Sequence, residues 1–267
     1  GTSSLLFEVA LCVFLYLTVL FIEYSPAAME WLGWRRLRNV VVRLTLVLTI
    51  FGVVLSTLHQ SSLGALFMIA PSKLHPLWYS NYLPVYFFIS SIFAGLSMVI
   101  FEGTLAHRFL HDKMDETHLA ESRGVVLGFG KAAAMVLAGY FFIKVIGIAA
   151  DHTWSYLATS WGAWFMLELV GFVALPAFIY AVGVREQSLG IIRFASLMTV
   201  LGVVLNRLNV SLIAFNYHLP AAERYFPSWM EIVTSLFIVT LGVVIYRFIS
   251  THMPILHEHP EYREEHA

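Results

Sequence analysis

Seven apolar stretches, each long enough to cross a bilayer, take up most of the 267 residues, and most of them carry a charged side chain at a depth that lipid penalises. A helix needs about 20 apolar residues to traverse a hydrocarbon core of about 30 Å. Stretches of that kind lie at roughly 5–23, 40–58, 84–106, 125–147, 160–182, 191–215 and 229–250. They predict an all-α fold: a polytopic transmembrane helix bundle of about seven spans over residues 1–252, with a polar cytoplasmic tail at 253–267. The composition, 59% hydrophobic and 12% charged, against about 25% charged in soluble domains, excludes a soluble globule. The first stretch is not a cleaved leader. It contains Glu8 and Glu23, lacks a basic n-region and runs into Pro26 and further hydrophobic sequence. With a net charge of −1 and no basic surface cluster, nucleic acid is excluded as a partner, and the partner demanded is the lipid bilayer.

Short cytoplasmic loops hold the excess of Lys and Arg in membrane proteins. Here Arg35, Arg36 and Arg38, then Arg108, Lys113 and Arg123, then Arg185 and Arg193, then Arg247 and Arg263 all fall on one side by alternation of the spans. Only Lys73 and Arg224 fall on the other. The imbalance predicts that the first span enters from outside and that the C-terminus is cytoplasmic.

Ionisable residues inside spans cost about 2.5–3.5 kcal/mol on insertion scales and mostly face a bundle interior, a cavity or a partner. Glu23, Lys144 and Glu231 lie close enough to an interface to snorkel. Glu8, Glu102, Glu168, Lys131 and Arg207 do not escape so easily, and they are read as a proton pathway or a buried polar network. Glu102 near the inner end of span 3 and Glu8 near the outer end of span 1 are placed to mark the entrance and exit of a relay, with Lys131 tuning it; a structural Glu102–Lys131 ion pair is the alternative. Arg207, flanked by Asn206 and Asn209, calls for a carboxylate partner, Glu8 or Glu168, within salt-bridge or one-water distance.

At the outer end of span 2 the apolar sequence gives way to His59, Gln60, Ser61, Ser62, Leu63 and Gly64. This run offers donors and acceptors beside apolar Leu63, Phe67 and Met68, which is what a quinone head group requires: its carbonyl accepts a hydrogen bond, its reduced hydroxyl donates one, and a titratable imidazole can deliver the proton. The same residues would equally cap the end of the helix. His75 and Trp78 in the following loop rank second as lining residues or as a docking surface. None of the eleven histidines lies deep in an apolar run, and no His or carboxylate pair occurs at helical spacing within a span, so neither haem nor a metal is expected on this chain. The single cysteine, Cys12, cannot build an iron–sulfur site, so any cluster belongs to a partner.

The stretches FEVALCVFLYLTVLFIEYSPAAMEWL (7–32), HQSSLGALFMIAPSKLHPLWYS (59–80), IFEGTL (100–105), RLNVSLIAFNYHLPAAERYFPSWMEI (207–232) and MPIL (253–256) occur in order and in register with the spans. Together they resemble the integral membrane subunits of hydrogenase-2-type nickel–iron hydrogenases, in the polysulfide-reductase-type, or NrfD-like, family. The resemblance implies a haem-free, quinone-reactive subunit in a bacterial or archaeal cytoplasmic (inner) membrane. It implies a periplasmic iron–sulfur ferredoxin-like partner, the large and small subunits of a nickel–iron hydrogenase behind it, and menaquinone as acceptor. Another complex of the family (sulfur, nitrite or formate enzyme) and an ion or proton transporter are the alternatives. Hydrogenase-branch members have about ten spans, and this chain begins Gly-Thr-Ser-Ser without Met. The expectation is therefore either further helices upstream of this numbering or a shortened homologue.

Overall fold

A computed structural model of the chain describes residues 4–109 and 116–252. The expected tail at 253–267 lies outside the described residues, as do Lys113 and Arg263 of the charge count. The chain folds into helices α1 (Leu5–Trp31), α2 (Arg35–Met68), α3 (Leu83–Phe109) and α4 (Glu116–Ala150). Helices α5 (Ser160–Arg185), α6 (Leu189–Ile213) and α7 (Trp229–His252) follow. All seven are long and apolar enough to cross a membrane, as the hydropathy pattern predicts, and no strand occurs among the described residues. Such helices satisfy their own backbone polar groups, which lipid cannot do.

Helices α1 and α2 form an antiparallel hairpin. Its turn is closed by Gly33 at a positive φ of 74°, and the pair is tied by Arg38 Nε donating to Glu30 Oε2 at 3.1 Å and by Thr49 Oγ1 donating to Glu23 Oε1 at 2.7 Å. Helices α3 to α6 pack around the main core, where Trp78, Phe165, Leu137, Tyr180 and Ile192 are almost wholly enclosed. A hydrogen bond of 2.8 Å from the Tyr180 hydroxyl to Ser97 Oγ joins α5 to α3 inside that core. Helix α7 is exposed along nearly its whole length, as an apolar helix turned toward lipid would be.

Loops 69–82, 151–159 and 214–228 meet at one end of the bundle and knit into a cap. Leu74 pairs with Phe215 in a short antiparallel bridge, His75 N donates to Ala214 O at 3.1 Å, and Asn216 N donates to Lys73 O at 2.6 Å. The His75 ring sits at its centre, within 4.8 to 5.7 Å of the ring centroids of Trp78, Tyr156, Trp161 and Tyr217, and Nδ1 accepts from Leu77 N at 3.2 Å. Burial pushes this imidazole below its ordinary value of 6.5.

Two helices change pitch below the cap. Residues Leu167–Ala174 of α5 and Asn209–Ile213 of α6 are π-helical. A π-turn inserts an extra residue per turn and rotates the side chains around it, and such turns cluster at functional sites. Here they carry Glu168 and Asn209, which face each other.

Candidate functional site

Glu168 is the centre of the polar interior. Its carboxylate is buried and accepts three hydrogen bonds: from Trp78 Nε1 at 2.8 Å, from Asn206 Nδ2 at 2.6 Å and from Asn209 Nδ2. Three N–H donors and no acceptor suit an ionised carboxylate, which can only accept. The network fixes both amides in turn. Trp164 Nε1 donates to Asn209 Oδ1 and Arg207 Nη1 to Asn206 Oδ1, each at 2.9 Å, so both amide nitrogens are turned toward Glu168.

Arg207 stands next in line. Its guanidinium donates to Ser90 Oγ at 2.7 Å and to Gln60 Oε1 at 3.4 Å, and lies 3.8 Å from the centroid of the Phe87 ring. The expectation that Glu168 or Glu8 partners Arg207 resolves in a particular way: Glu168 shares its network, but Asn206 stands between carboxylate and guanidinium, and no direct ion pair forms. Interposing an amide keeps both charges hydrogen-bonded while leaving Arg207 Nη2 directed to Ser90 and Gln60.

That other side is a cavity of about 410 Å³ lined by Tyr16, Ser56, His59, Gln60, Ser91, Ala94, Val203 and Arg207. His59 is half-buried among these residues, and its Nδ1 is closed off and has no hydrogen-bond partner. An unsatisfied buried polar atom costs about 1–3 kcal/mol, so His59 stands out among the lining residues. The apolar side chains of Ala94 and Val203 and the donors His59, Gln60 and Arg207 together fit a planar ring bearing carbonyl oxygens, and the volume lies within the range of about 300–1,000 Å³ usual for small-molecule sites.

The local setting of His59 differs from the expected one. Helix α2 does not end near Leu58; it runs unbroken for 34 residues, about 51 Å at 1.5 Å per residue, and its C-cap is Ile69. His59 and Gln60 therefore cap nothing. The polar run stays helical because its side chains find tertiary partners: Ser62 Oγ donates to Glu8 Oε1 at 2.7 Å, and a Cβ on Gly64 would lie 2.7 Å from Leu83 O, so only glycine lets α2 approach the start of α3 this closely. Gln60 contacts Arg207, which also reaches Ser90, about two turns inside α3, so the site lies below the end of the bundle, among half-buried residues of α1, α2, α3 and α6.

The remaining candidates separate. Ser61 is half-buried, and Ser61, Ser62 and Gly64 are not among the cavity's lining residues. Trp78 and His75 are corrected in role: Trp78 is a ligand of the Glu168 carboxylate and His75 the hub of the cap, because the loop carrying them folds inward between α5 and the 214–228 loop. Glu8 is exposed apart from its bond to Ser62, and Lys131 is exposed on α4. Glu102 is exposed beside a separate, largely apolar cavity between α3 and α7 that Arg247 also lines; it makes no ion pair with Lys131. Lys144 is a second correction. It does not snorkel but is 5% exposed, enclosed by Tyr86, Tyr140 and Phe165. Ser90, Trp164 and Tyr16 escaped the sequence reading altogether. Nothing in their immediate sequence distinguishes them from other span residues, and only a helix–helix register would have found them. Among the described residues no group of three or more His, Cys, Asp or Glu is arranged to hold a metal ion.

The polysulphide reductase, NrfD family matches residues 2–218. A protein of Nitratidesulfovibrio vulgaris (strain Hildenborough) is 70% identical over 100% of this chain and 69% of its own length. The probable Ni/Fe-hydrogenase 2 b-type cytochrome subunit of Escherichia coli (strain K12) is 27% identical over 96% of this chain and 64% of its own length. The menaquinone reductase integral membrane subunit of N. vulgaris is 24% identical over 98% of this chain and 67% of its own length. The chain thus spans about two thirds of the length of these relatives. No solved structure matches. The family match over residues 2–218, together with whole-chain similarity to a protein of N. vulgaris, makes this chain a member of the NrfD family of polytopic membrane proteins.

Proposed function

We propose that this chain is the quinone-reducing membrane subunit of a respiratory oxidoreductase, passing electrons from an iron–sulfur partner at the outer face, within a nickel–iron hydrogenase complex, to menaquinone. The observation that carries the reading is the cavity of about 410 Å³ lined by the polar side chains of His59, Gln60 and Arg207 together with apolar Ala94 and Val203. The relatives named for hydrogenase 2 and for menaquinone reductase supply the electron donor and the acceptor of the proposal. The excess of Lys and Arg at the opposite end of the spans supports a cap, with the cavity below it, turned toward the outside, where such a partner would deliver electrons.

Bound quinone would supply a two-electron, two-proton acceptor, its two carbonyl oxygens becoming hydroxyls. The chain's residues bind, orient and protonate. His59 donates a hydrogen bond to one carbonyl oxygen and is the titratable group placed to give it a proton. Gln60 and Arg207 hold the head group in register, and the guanidinium, always charged, stabilises negative charge arriving on the ring oxygens. Val203 and Ala94 exclude water from the ring faces. Glu168, one asparagine behind Arg207, holds the guanidinium in place through Asn206.

The test is His59→Ala in the assembled complex. Hydrogen-driven reduction of a soluble naphthoquinone should fall at least about 100-fold, the lower range of general acid–base contributions. Hydrogen-to-dye electron transfer by the same preparation should be unchanged. Quinone reduction at the wild-type rate would remove His59 from the site.

A further inference from the structure

Lys144 is a buried cation that the quinone site as described does not use. Its Nζ lies 4.2 Å from the centroid of the Tyr86 ring and 5.8 and 5.9 Å from those of Tyr140 and Phe165, and among the described residues it has no hydrogen bond and no acidic group within ion-pair distance. Ring faces compensate an ammonium only in part, so a lysine held this way is costly and calls for a reason.

The surroundings give one. Lys144 lines a cavity of about 10 Å³, room for about one water molecule, together with Ser80, Tyr86, Asp151 and Thr153. Asp151, half-buried just past the end of α4 where the cap begins, is the cavity's acidic lining residue. Tyr140, on the other flank of Lys144, lines a second cavity of about 10 Å³ with Ser90, Glu168 and Asn206. Val203 lines that second cavity and also the large one holding His59. Polar groups therefore recur from Asp151 through Lys144 and Tyr140 to Glu168, and the Glu168 cavity shares the apolar wall residue Val203 with the cavity that His59 lines. The charged and titratable groups around Lys144 are Tyr86 from α3, Tyr140 and Asp151 from α4 and Glu168 from α5, with Arg207 of α6 behind Glu168.

We propose that Lys144 relays protons from the Asp151 side of the membrane to Glu168, supplying the quinone cavity from the cap side. This rests on the quinone reading above. In each cycle the Lys144 ammonium gives a proton to the Glu168 carboxylate, and the neutral amine is recharged from water in the Asp151 cavity; Glu168 passes its proton to water in the cavity it shares with Ser90 and returns to the carboxylate. No oxidant or reductant is needed. Lysine suits the task because four rotatable bonds let one amine address both cavities. Glu102 and Lys131, on the far side and exposed, are no part of the route.

The test uses the assembled complex in oriented liposomes, with hydrogen as donor, a soluble naphthoquinone as acceptor, and a pH indicator either enclosed or outside. Hydrogen oxidation by the partner releases two protons per quinone on the Asp151 side, so uptake from that side should leave no net pH change on either side, whereas uptake from the opposite side would acidify the Asp151 side and alkalise the other. Lys144→Met should slow quinone reduction at least tenfold. Lys144→Arg, which keeps the charge but cannot release a proton, should stay equally slow. Full activity in Lys144→Arg would make the residue a fixed counter-charge and overturn the relay, as would proton uptake from the opposite side. If the buried variants fail to fold, Asp151→Asn decides at the cavity mouth: a several-fold loss that deepens as pH rises on that side supports the relay, and an unchanged rate overturns it. A wild-type complex that reduces no naphthoquinone overturns the quinone reading and the relay with it. A wild-type complex that does so, with Lys144 variants unaffected, overturns the relay alone.

Discussion

Glu168 shows how one side chain sets the roles of its neighbours. Accepting from Trp78, Asn206 and Asn209, it turns the oxygens of both amides away toward Arg207 and Trp164. Glu168→Gln keeps the shape but puts an amide NH₂ among three donors, so at least one N–H···O bond becomes an N–H facing an N–H. A hydrogen bond to a charged group is worth about 1.5–3 kcal/mol, and the variant should lose about that much stability. Thermal unfolding in detergent measures it, and quinone reduction should fall alongside because Asn206 no longer holds Arg207. The sequence showed Glu168, Arg207 and the two asparagines as intramembrane polar groups, but not that Asn206 would separate the charges. That depends on the π-turns at Leu167–Ala174 and Asn209–Ile213, whose extra residue per turn leaves no local mark in an otherwise apolar sequence.

Among the elements, α2 and the cap departed most from expectation. His59, Gln60, Ser61 and Ser62 look like a helix end because such residues compete with backbone hydrogen bonds. Burial against α1 and α3 outweighs that preference and carries the helix ten residues past Leu58. The cap holds His75 neutral in an aromatic enclosure. Because burial lowers its affinity for a proton below that of an exposed histidine, the open cap binds the proton more readily than the closed one. The stability this residue gives the closed cap is therefore complete above its ordinary value of 6.5 and is lost as pH falls through the lowered value. The opening equilibrium of residues 73–79 and 214–217, taken as their hydrogen-exchange rate relative to the intrinsic amide rate at each pH, should rise on acidification from about pH 7 toward pH 5, and His75→Phe should abolish that rise. Lys144 teaches the same lesson from α4. Its position near the end of a span predicts snorkelling, yet the surrounding aromatic residues and the cap cover the route to water.

At the scale of the whole molecule, the seven spans were legible because hydropathy over about 20 residues is a property of the chain alone. The residues that meet were less so, since Gln60 and Arg207 are 147 positions apart and only packing brings them together. Packing gathers these polar groups, from Asp151 beneath the cap to Glu168, Arg207 and His59, into one bundle with an apolar exterior. The central claim is that this cavity holds a quinone. Extracting the purified, detergent-solubilised complex with organic solvent and measuring naphthoquinone against protein tests it most directly. The account predicts close to one menaquinone per chain, falling to background in an Arg207→Gln protein that remains folded. Wild-type protein carrying no quinone, in a complex that still passes electrons to dye, would contradict it.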